Sequence, residues 1–311
     1  MKIKISYLFP LCMLFICSCK NSNASAHKNS EVLKDTIKTF TLPTIPNTIE
    51  EPEQRAAYLV HHYWDHVNFA DTNYIHHPEI TEQAWVDYCN ILIHVPLHTA
   101  QEEVRKTIDR CNVEKKVLNY ITDLADKYLY DPNSPIRNEE FYIPVLEAMV
   151  ASPTLNEWEK VRPEARLKLA QKNRIGTKAI DFTFTLDSGI QKNLYALKAD
   201  YILLFINNPG CHACSETINE LKRAPAINQL LATNKLILLS LYPDEELDEW
   251  HKHLDEFPKK WINAYDKKFV LKEKQLYDLK AIPTLYLLDQ QKKVLLKDAT
   301  TQSIETFLSR N

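Results

Sequence analysis

Residues 205–214 of this 311-residue chain read Phe-Ile-Asn-Asn-Pro-Gly-Cys-His-Ala-Cys, and this stretch decides the fold of the C-terminal half. The six residues at 201–206 are apolar and rich in β-formers, which predicts a buried strand. Asn-Asn-Pro-Gly then breaks the chain, and apolar residues at helical spacing follow the second cysteine. We therefore expect Cys211 at a strand-to-helix junction, with Cys214 one turn further along the same helix.

This position suits the two cysteines to thiol–disulfide exchange. Unpaired N–H groups at the start of a helix stabilise a thiolate, which is the form of cysteine that attacks disulfides. A spacing of two residues lets the second thiol close a disulfide with the first within one turn. Cys211 is the candidate nucleophile and Cys214 the candidate resolving thiol. His212 would favour the thiolate further when it is protonated.

Two other interpretations of the Cys-x-x-Cys motif stay open. A structural zinc site needs two more ligands at ordered spacing, for which Cys89 and Cys111 lie far upstream, although His251 and His253 are formally available. A structural disulfide would close only a very short loop, which constrains little entropy of the unfolded chain. The motif favours a redox-active disulfide, and we expect no metal and no organic cofactor.

The order of elements downstream carries a resemblance. A second apolar run at residues 235–242 and a charged helical pattern at 244–256 precede the apolar run 281–289, which contains Ile-Pro-Thr. A proline just before such a run indicates an edge strand or a special turn. Strand, Cys-x-x-Cys, helix, strand and Ile-Pro-Thr-strand together resemble the thioredoxin fold, an α/β fold with a central β-sheet flanked by helices.

The resemblance implies roles for residues around the motif. It implies that Pro283 is cis and packs against the dithiol, and that Pro283 and Thr284 line the groove that receives the substrate backbone. We assign Ile282 and Pro209 to the same groove. Residues 176–197 look like the N-terminal β-hairpin of the TlpA/ResA-type branch of the family. Cofactors are not implied.

Two departures from the family pattern leave the redox direction open. Gly210 stands where the family usually has a Trp, and the predicted strand 201–206 holds no carboxylate that would accept a proton. The resemblance implies a thiol-disulfide oxidoreductase, and we expect a reductase. An oxidase or isomerase of the same fold stays open, as does a non-catalytic partner-binding lipoprotein with a structural disulfide.

The start of the chain reads as an export signal. A basic beginning precedes an apolar core at residues 5–16 that is too short to span a bilayer. The core ends at Ile-Cys-Ser-Cys19, which resembles a bacterial lipobox and implies removal of residues 1–18 and lipidation of Cys19. A plain secretory signal is the alternative. We expect a lipid-anchored protein on the periplasmic side of the envelope, and Lys20 favours the outer membrane.

Composition divides the rest of the chain into three parts. Residues 19–50 are rich in Ser, Asn, Lys, Thr and Pro, which predicts a flexible tether. Apolar residues recur at helical spacing over 51–173, which predicts an all-α domain, and 174–311 form the predicted thioredoxin-like domain. Residues 128–143 resemble the DUF5106 type, an uncharacterised helical domain that precedes thioredoxin modules in some bacterial lipoproteins.

The DUF5106-like stretch has two interpretations. Its polar and aromatic side chains would form a binding face, or its tyrosines would cover the edge of the core, and the second interpretation is favoured. The side chains concerned are Tyr130, Arg137, Glu139, Glu140 and Tyr142.

The remaining observations bear on partners. A formal net charge of −3 creates no field that would attract nucleic acid. The pairs His62–His66 and His94–His98 have helical spacing, but no His-Glu-x-x-His motif occurs, so we expect no metal site.

Cys89 and Cys111 would pair in an oxidising compartment or lie buried as small hydrophobes. We expect extracytoplasmic thiol/disulfide proteins as partners and a membrane electron donor, because no nicotinamide or flavin motif is visible.

Overall fold

The computed structural model describes residues 39–310, which fall within one compact unit, Ile37–Asn311. The predictions on the signal peptide, on Cys19 and on the first part of the tether lie outside the described residues. The described chain consists of a helical half, residues 52–173, and a sheet half, residues 174–310. Within this range, no helix combines the length and the apolar character that crossing a bilayer requires.

Six α-helices build the helical half. They are α1 Pro52–His62, α2 Pro78–Leu92, α3 Leu97–Arg110, α4 Lys115–Ala125, α5 Glu139–Ala151 and α6 Glu157–Ala170. Pro52 and Pro78 begin the first two helices, where the missing proline N–H costs no helical hydrogen bond. Side-chain oxygens of Asn138 and Asn156 accept backbone N–H groups at the starts of α5 and α6.

Aromatic rings fill the core of the helical half. Tyr63, Trp64, Trp85 and Tyr88 are all buried, and their rings contact one another at centroid distances of 5.1–6.3 Å. Large aromatic side chains contribute most to such a core because each removes a large apolar area from water. Trp85 and Tyr88 lie on the inward face of α2, and Tyr63 and Trp64 lie in the turn that follows α1.

Seven strands and five helices build the sheet half. They are β1 Thr183–Leu186, β2 Gln191–Asn193, β3 Tyr201–Ile206, α7 His212–Arg223, α8 Pro225–Ala232, β4 Leu236–Tyr242, α9 Leu247–Lys252, β5 Ile262–Tyr265, α10 Val270–Glu273, β6 Thr284–Asp289, β7 Val294–Lys297 and α11 Thr301–Arg310. The sheet order is β2-β1-β5-β4-β3-β6-β7. Strands β3, β4 and β5 run parallel, and the other pairs are antiparallel.

The central strand β3 is covered on both faces. Leu203 and Phe205 pack in a core with apolar residues of α7, α8 and α11, whereas Ile202, Leu204 and Ile206 pack on the opposite face. All five side chains are buried. A strand that is covered on both sides reads as a continuous apolar run, which is why the sequence predicted it at the correct residues. The predicted α/β fold with a helical N-terminal region is confirmed.

The residues just before β6 form a turn that contains Pro283. β6 pairs with β3 on one side and β7 on the other, so it is an internal strand, and the edge-strand alternative is wrong. Pro283 lies just before the strand, where its missing N–H interrupts no ladder. The Ile282–Pro283 peptide bond is cis, as the resemblance implied.

Candidate active site

Cys211 and Cys214 lie at the start of α7, directly after the turn that follows β3. Cys211 is the N-cap residue of the helix, and its carbonyl oxygen accepts the N–H of Ser215 at 3.0 Å. Both thiols are free. Cys211 is half-buried, whereas Cys214 is only 1% exposed. The predicted strand-to-helix junction is present, and it places one sulfur near solvent and the other inside.

Burial changes the chemistry of the inner thiol. It raises the pKa of Cys214 to about 12, because the thiolate would lose its hydration, and only the backbone N–H of Asn208, 3.4 Å from Cys214 Sγ, opposes this. The side chain of Cys211 hydrogen-bonds the same thiol and adds to the rise. Cys214 is therefore protonated at neutral pH while its partner is reachable from solvent.

Two asparagines that the sequence indicated only as turn residues tie the motif to β4. The amide Nδ2 of Asn207 donates to Ser240 Oγ at 2.8 Å and to the carbonyl oxygen of Phe205 at 3.1 Å. Asn208 Nδ2 donates to Asp244 Oδ2 at 2.9 Å. Since Asn207 is buried, these bonds satisfy a polar group that would otherwise be costly. They hold the turn that carries the first cysteine.

Gly210 adopts a backbone conformation that its neighbours could not easily adopt. Its φ is +79°, in the left-handed region that favours glycine. A Cβ at this position would lie 3.8 Å from both Glu249 Oε1 and His253 Nε2. The place where the family carries a Trp is thus bordered by a carboxylate and an imidazole from the segment after β4.

His253 is held by two carboxylates beside this glycine. Its Nδ1 is 2.6 Å from Glu256 Oε1 and its Nε2 is 3.0 Å from Glu249 Oε1. The hydrogen bonds to Glu256 and then Glu249 raise the pKa of His253 above its ordinary value. The sequence offered no carboxylate in β3. In the structure, the Glu249 carboxylate of α9 lies beside Gly210.

The segment around Pro283 lies at the same end of the sheet as the dithiol. Thr284 pairs with Ile206, so Pro283 stands level with the turn that leads to Cys211. Ile282 and Pro283 are partly exposed, whereas Thr284 is buried. The hydroxyl of Thr284 donates to the carbonyl oxygen of Ala281 at 2.7 Å, so it shapes the turn.

Two other predicted residues, Pro209 and His212, flank Cys211 in the chain. Pro209 is buried in the turn. The His212 side chain is 88% exposed, and its Nδ1 is 3.5 Å from Glu216 Oε2, one turn along α7. The effect of His212 on the thiolate stays a prediction.

The upstream cysteines and histidines form no second site in residues 39–310. Cys89 and Cys111 are both free and buried, and burial raises the pKa of both thiols, to about 12 for Cys111. Cys111 Sγ donates to the carbonyl oxygen of Thr107 at 3.3 Å. Over the described part of the chain, no three His, Cys, Asp or Glu side chains gather as metal ligands would. The two cysteines are small buried hydrophobes.

The DUF5106-like stretch covers the core edge and also faces the sheet half. Tyr142 is buried and donates to Asp126 Oδ1 at 2.6 Å. Arg137 Nη2 donates to the carbonyl oxygen of Asp298, 161 residues away, at 2.8 Å. The structure supports the interpretation that the tyrosines cover the core, and it shows that the polar side chains contact the chain's own second half.

Comparison with known proteins places the chain in a family. The model of a domain of unknown function, DUF5106, matches residues 18–173. A thioredoxin-like protein from Bacteroides caccae, solved by crystallography, is 77% identical, and the match covers 89% of this chain and 100% of that chain with a TM-score of 0.87.

Other matches cover less of the chain. The C-terminal domain of an uncharacterised protein from Bacteroides fragilis is 63% identical over 44% of this chain and 98% of that chain, with a TM-score of 0.44. No curated protein matches at a significant level. With its DUF5106 region and its relative in Bacteroides caccae, the chain belongs to the DUF5106-containing thioredoxin-like proteins.

Proposed function

We propose that this protein is an extracytoplasmic thiol-disulfide oxidoreductase that reduces disulfides of other proteins through Cys211 and Cys214. One observation carries the proposal: the two sulfurs sit in opposite surroundings within a single turn of α7. Cys211 is half-buried at the helix start, where N–H groups favour a thiolate, and Cys214 is buried with a raised pKa. Cys211 Sγ is thus accessible to a substrate disulfide, whereas Cys214 Sγ is shielded from it.

The reaction follows from this asymmetry. The Cys211 thiolate attacks one sulfur of the substrate disulfide, the substrate S–S bond breaks, and the leaving sulfur takes up a proton as a thiol. Cys214 then loses its proton and attacks Cys211 Sγ. The mixed disulfide breaks, the second substrate thiol leaves, and a Cys211–Cys214 disulfide forms. Two electrons have passed from the protein to the substrate.

The surroundings of the dithiol supply the substrate groove. Ile282 and Pro283 are partly exposed at the sheet end that carries the motif, so they are the residues that we assign to the substrate backbone. Thr284 shapes the turn from within. A membrane electron donor would return two electrons to the disulfide. Lipidation of Cys19 would keep the protein on the periplasmic side, at the outer membrane.

A redox titration of the dithiol tests this function. The full chain is equilibrated with glutathione or dithiothreitol buffers, and alkylation of Cys211 and Cys214 is read by mass spectrometry. A two-electron midpoint near the thioredoxin value of about −270 mV is expected for a reductase. A midpoint near about −120 mV would instead indicate an oxidase, and a pair that resists reduction below about −300 mV would indicate a structural disulfide.

A further inference from the structure

The segment that precedes β6 is held by the helical half of the same chain. Its upstream end, residues 274–276, receives three hydrogen bonds from the residues after α6, one of them from Lys172 Nζ to the carbonyl oxygen of Lys274 at 3.3 Å. Lys172 Nζ donates to the carbonyl oxygen of Gln275 at 2.7 Å, and Asn173 Nδ2 donates to that of Leu276 at 2.8 Å. These bonds attach the upstream end of the segment to the helical half.

Its downstream end carries a buried lysine that joins the two halves. Lys280 Nζ lies 2.6 Å from Asp278 Oδ2, 3.6 Å from Asp298 Oδ2 and 3.6 Å from Glu139 Oε1. It also lies over the Tyr130 ring, 4.7 Å from the ring centre. The side chains of Lys280 and Glu139 are each 12% exposed and that of Asp278 4%. Glu139 and Tyr130 belong to the helical half.

The position of Glu139 is itself determined by its helix. It is the first residue of α5, after the N-cap Asn138, where the positive end of the helix dipole favours a carboxylate. Glu139 also pairs with Lys297 of β7, whose Nζ donates to the carbonyl oxygen of Lys172 at 2.9 Å. Burial raises the pKa of Glu139 although Lys297 and Lys280 oppose the rise. A carboxylate in this setting depends on both lysines.

Removing Glu139 takes this carboxylate from Lys297 and leaves Lys280 paired only with Asp278 and Asp298, which both belong to the sheet half. A buried charge without its counter-ion is strongly unfavourable, whereas an exposed ion pair contributes little. Lys280 and Asp278 lie on the segment itself, and the amide of Lys280 donates to Asp278 Oδ1 at 3.0 Å. Loss of Glu139 would therefore remove the ionic contact between this segment and the helical half.

We propose that the helical half positions the substrate groove: Glu139, through Lys280, holds residues 278–283 and with them Pro283 at the sheet end beside Cys211. Pro283 follows Lys280 by three residues and precedes Thr284, whose pairing with Ile206 brings it level with the motif. Glu139 and Lys280 are positioning residues that act through the segment. The DUF5106 region is thus a support for the site, and the consequence for substrate binding rests on the function proposed above.

Hydrogen exchange tests the positioning independently of activity. In the full chain, Glu139→Gln removes the charge and keeps the shape, and Glu147→Gln is the matched control. Glu147 lies on the same helix and pairs with Arg105 of the helical half at 3.6 Å. We expect amides of residues 278–285 to exchange at least about tenfold faster in Glu139→Gln, with β4 and α2 unchanged. Glu147→Gln should match the wild type throughout.

A second variant and a kinetic measurement complete the test. Lys280→Met should accelerate exchange in the same peptide, and the double variant should change exchange by less than the sum of the two single variants, because the Glu139–Lys280 contact is lost in both. With a protein disulfide as substrate, Glu139→Gln should raise KM about fivefold with little change in kcat, since groove residues bind substrate.

Unchanged exchange at residues 278–285 in both variants, or equal acceleration across the whole chain, would overturn the positioning role. The two readouts separate the proposals. If the wild type shows no reductase activity, the proposed function fails while the exchange measurement still decides whether the helical half holds the segment.

Discussion

At the level of single residues, the chemistry of the Cys211 and Cys214 thiols differs because Cys214 is more deeply buried. Cys214 is inside, where burial raises its pKa to about 12, so the thiol is protonated at neutral pH. Cys211 caps α7 at the surface. In the proposed reaction, a mixed disulfide at Cys211 would persist until Cys214 loses its proton, so Cys214 would control release of the substrate.

Replacement of the resolving thiol should trap this intermediate. We expect Cys214→Ser to accumulate a covalent adduct between Cys211 and substrate proteins, because no second sulfur displaces the substrate. Non-reducing electrophoresis of cell extracts, followed by mass spectrometry of the released partners, measures it. Cys211→Ser is the control and should form no adduct. Equal adducts in both variants would contradict the assignment of the nucleophile.

At the level of elements, the segment after β4 departs from its predicted form. The charged pattern over residues 244–256 predicted one helix, but α9 covers only Leu247–Lys252, and a short 3-10 turn, Leu254–Glu256, follows it. His253 separates the two, with φ −100° and ψ 0°. The break lets its ring bond Glu249 on one side and Glu256 on the other, beside Gly210.

The charge state of His253 should make stability depend on pH. Its pKa is raised in the folded state, mainly by Glu256 and then Glu249. The stabilisation is therefore complete below the unfolded value of about 6.5 and is lost as pH rises through the folded value. We expect His253→Gln to lower the urea midpoint at pH 6 and to have little effect at pH 9.

The matched control for this change is His98→Gln. The ring of His98 contacts the hydroxyl of Thr99 in α3 of the helical half. Its effect on the urea midpoint should be the same at both pH values. A deficit in His253→Gln that is equally large at pH 6 and pH 9 would show that the ion pairs do not contribute.

At the scale of the whole molecule, the helical and sheet halves share their polar groups. Arg137 bonds the backbone of Asp298, Glu139 pairs with Lys280 and Lys297, and Lys172 bonds the backbone of residues 274 and 275. The described residues, 39–310, accordingly fall within one compact unit. If either half unfolded, several of these polar groups in the other half would lose their partners, which is unfavourable.

The halves should therefore unfold together. We expect a single urea transition with the same midpoint by far-ultraviolet circular dichroism and by tryptophan fluorescence. Buried tryptophans report on both halves, Trp64 and Trp85 in the helical core and Trp250 and Trp261 in the sheet half. Two separated transitions, or midpoints that differ between the two probes, would contradict this coupling.

The sequence by itself determined the elements around the motif. The apolar run at residues 201–206 became β3, the Cys-x-x-Cys motif opened α7, and a proline preceded β6. These features depend on local periodicity and on turn residues, which can be recognised from neighbouring residues in the sequence. The same holds for the helical character of residues 51–173, because amphipathic spacing is visible within each helix.

Only the tertiary structure decided how these elements serve the site. Burial distinguishes Cys214 from Cys211, and burial depends on everything packed around α7. Asp244, His253 and Glu139 reach the site or its supporting segment from distant parts of the chain, and single polar residues leave no periodic signal in the sequence. Long-range polar contacts form only when the fold brings their partners together, which is why the helical half could be predicted as helices but not as the support of the groove.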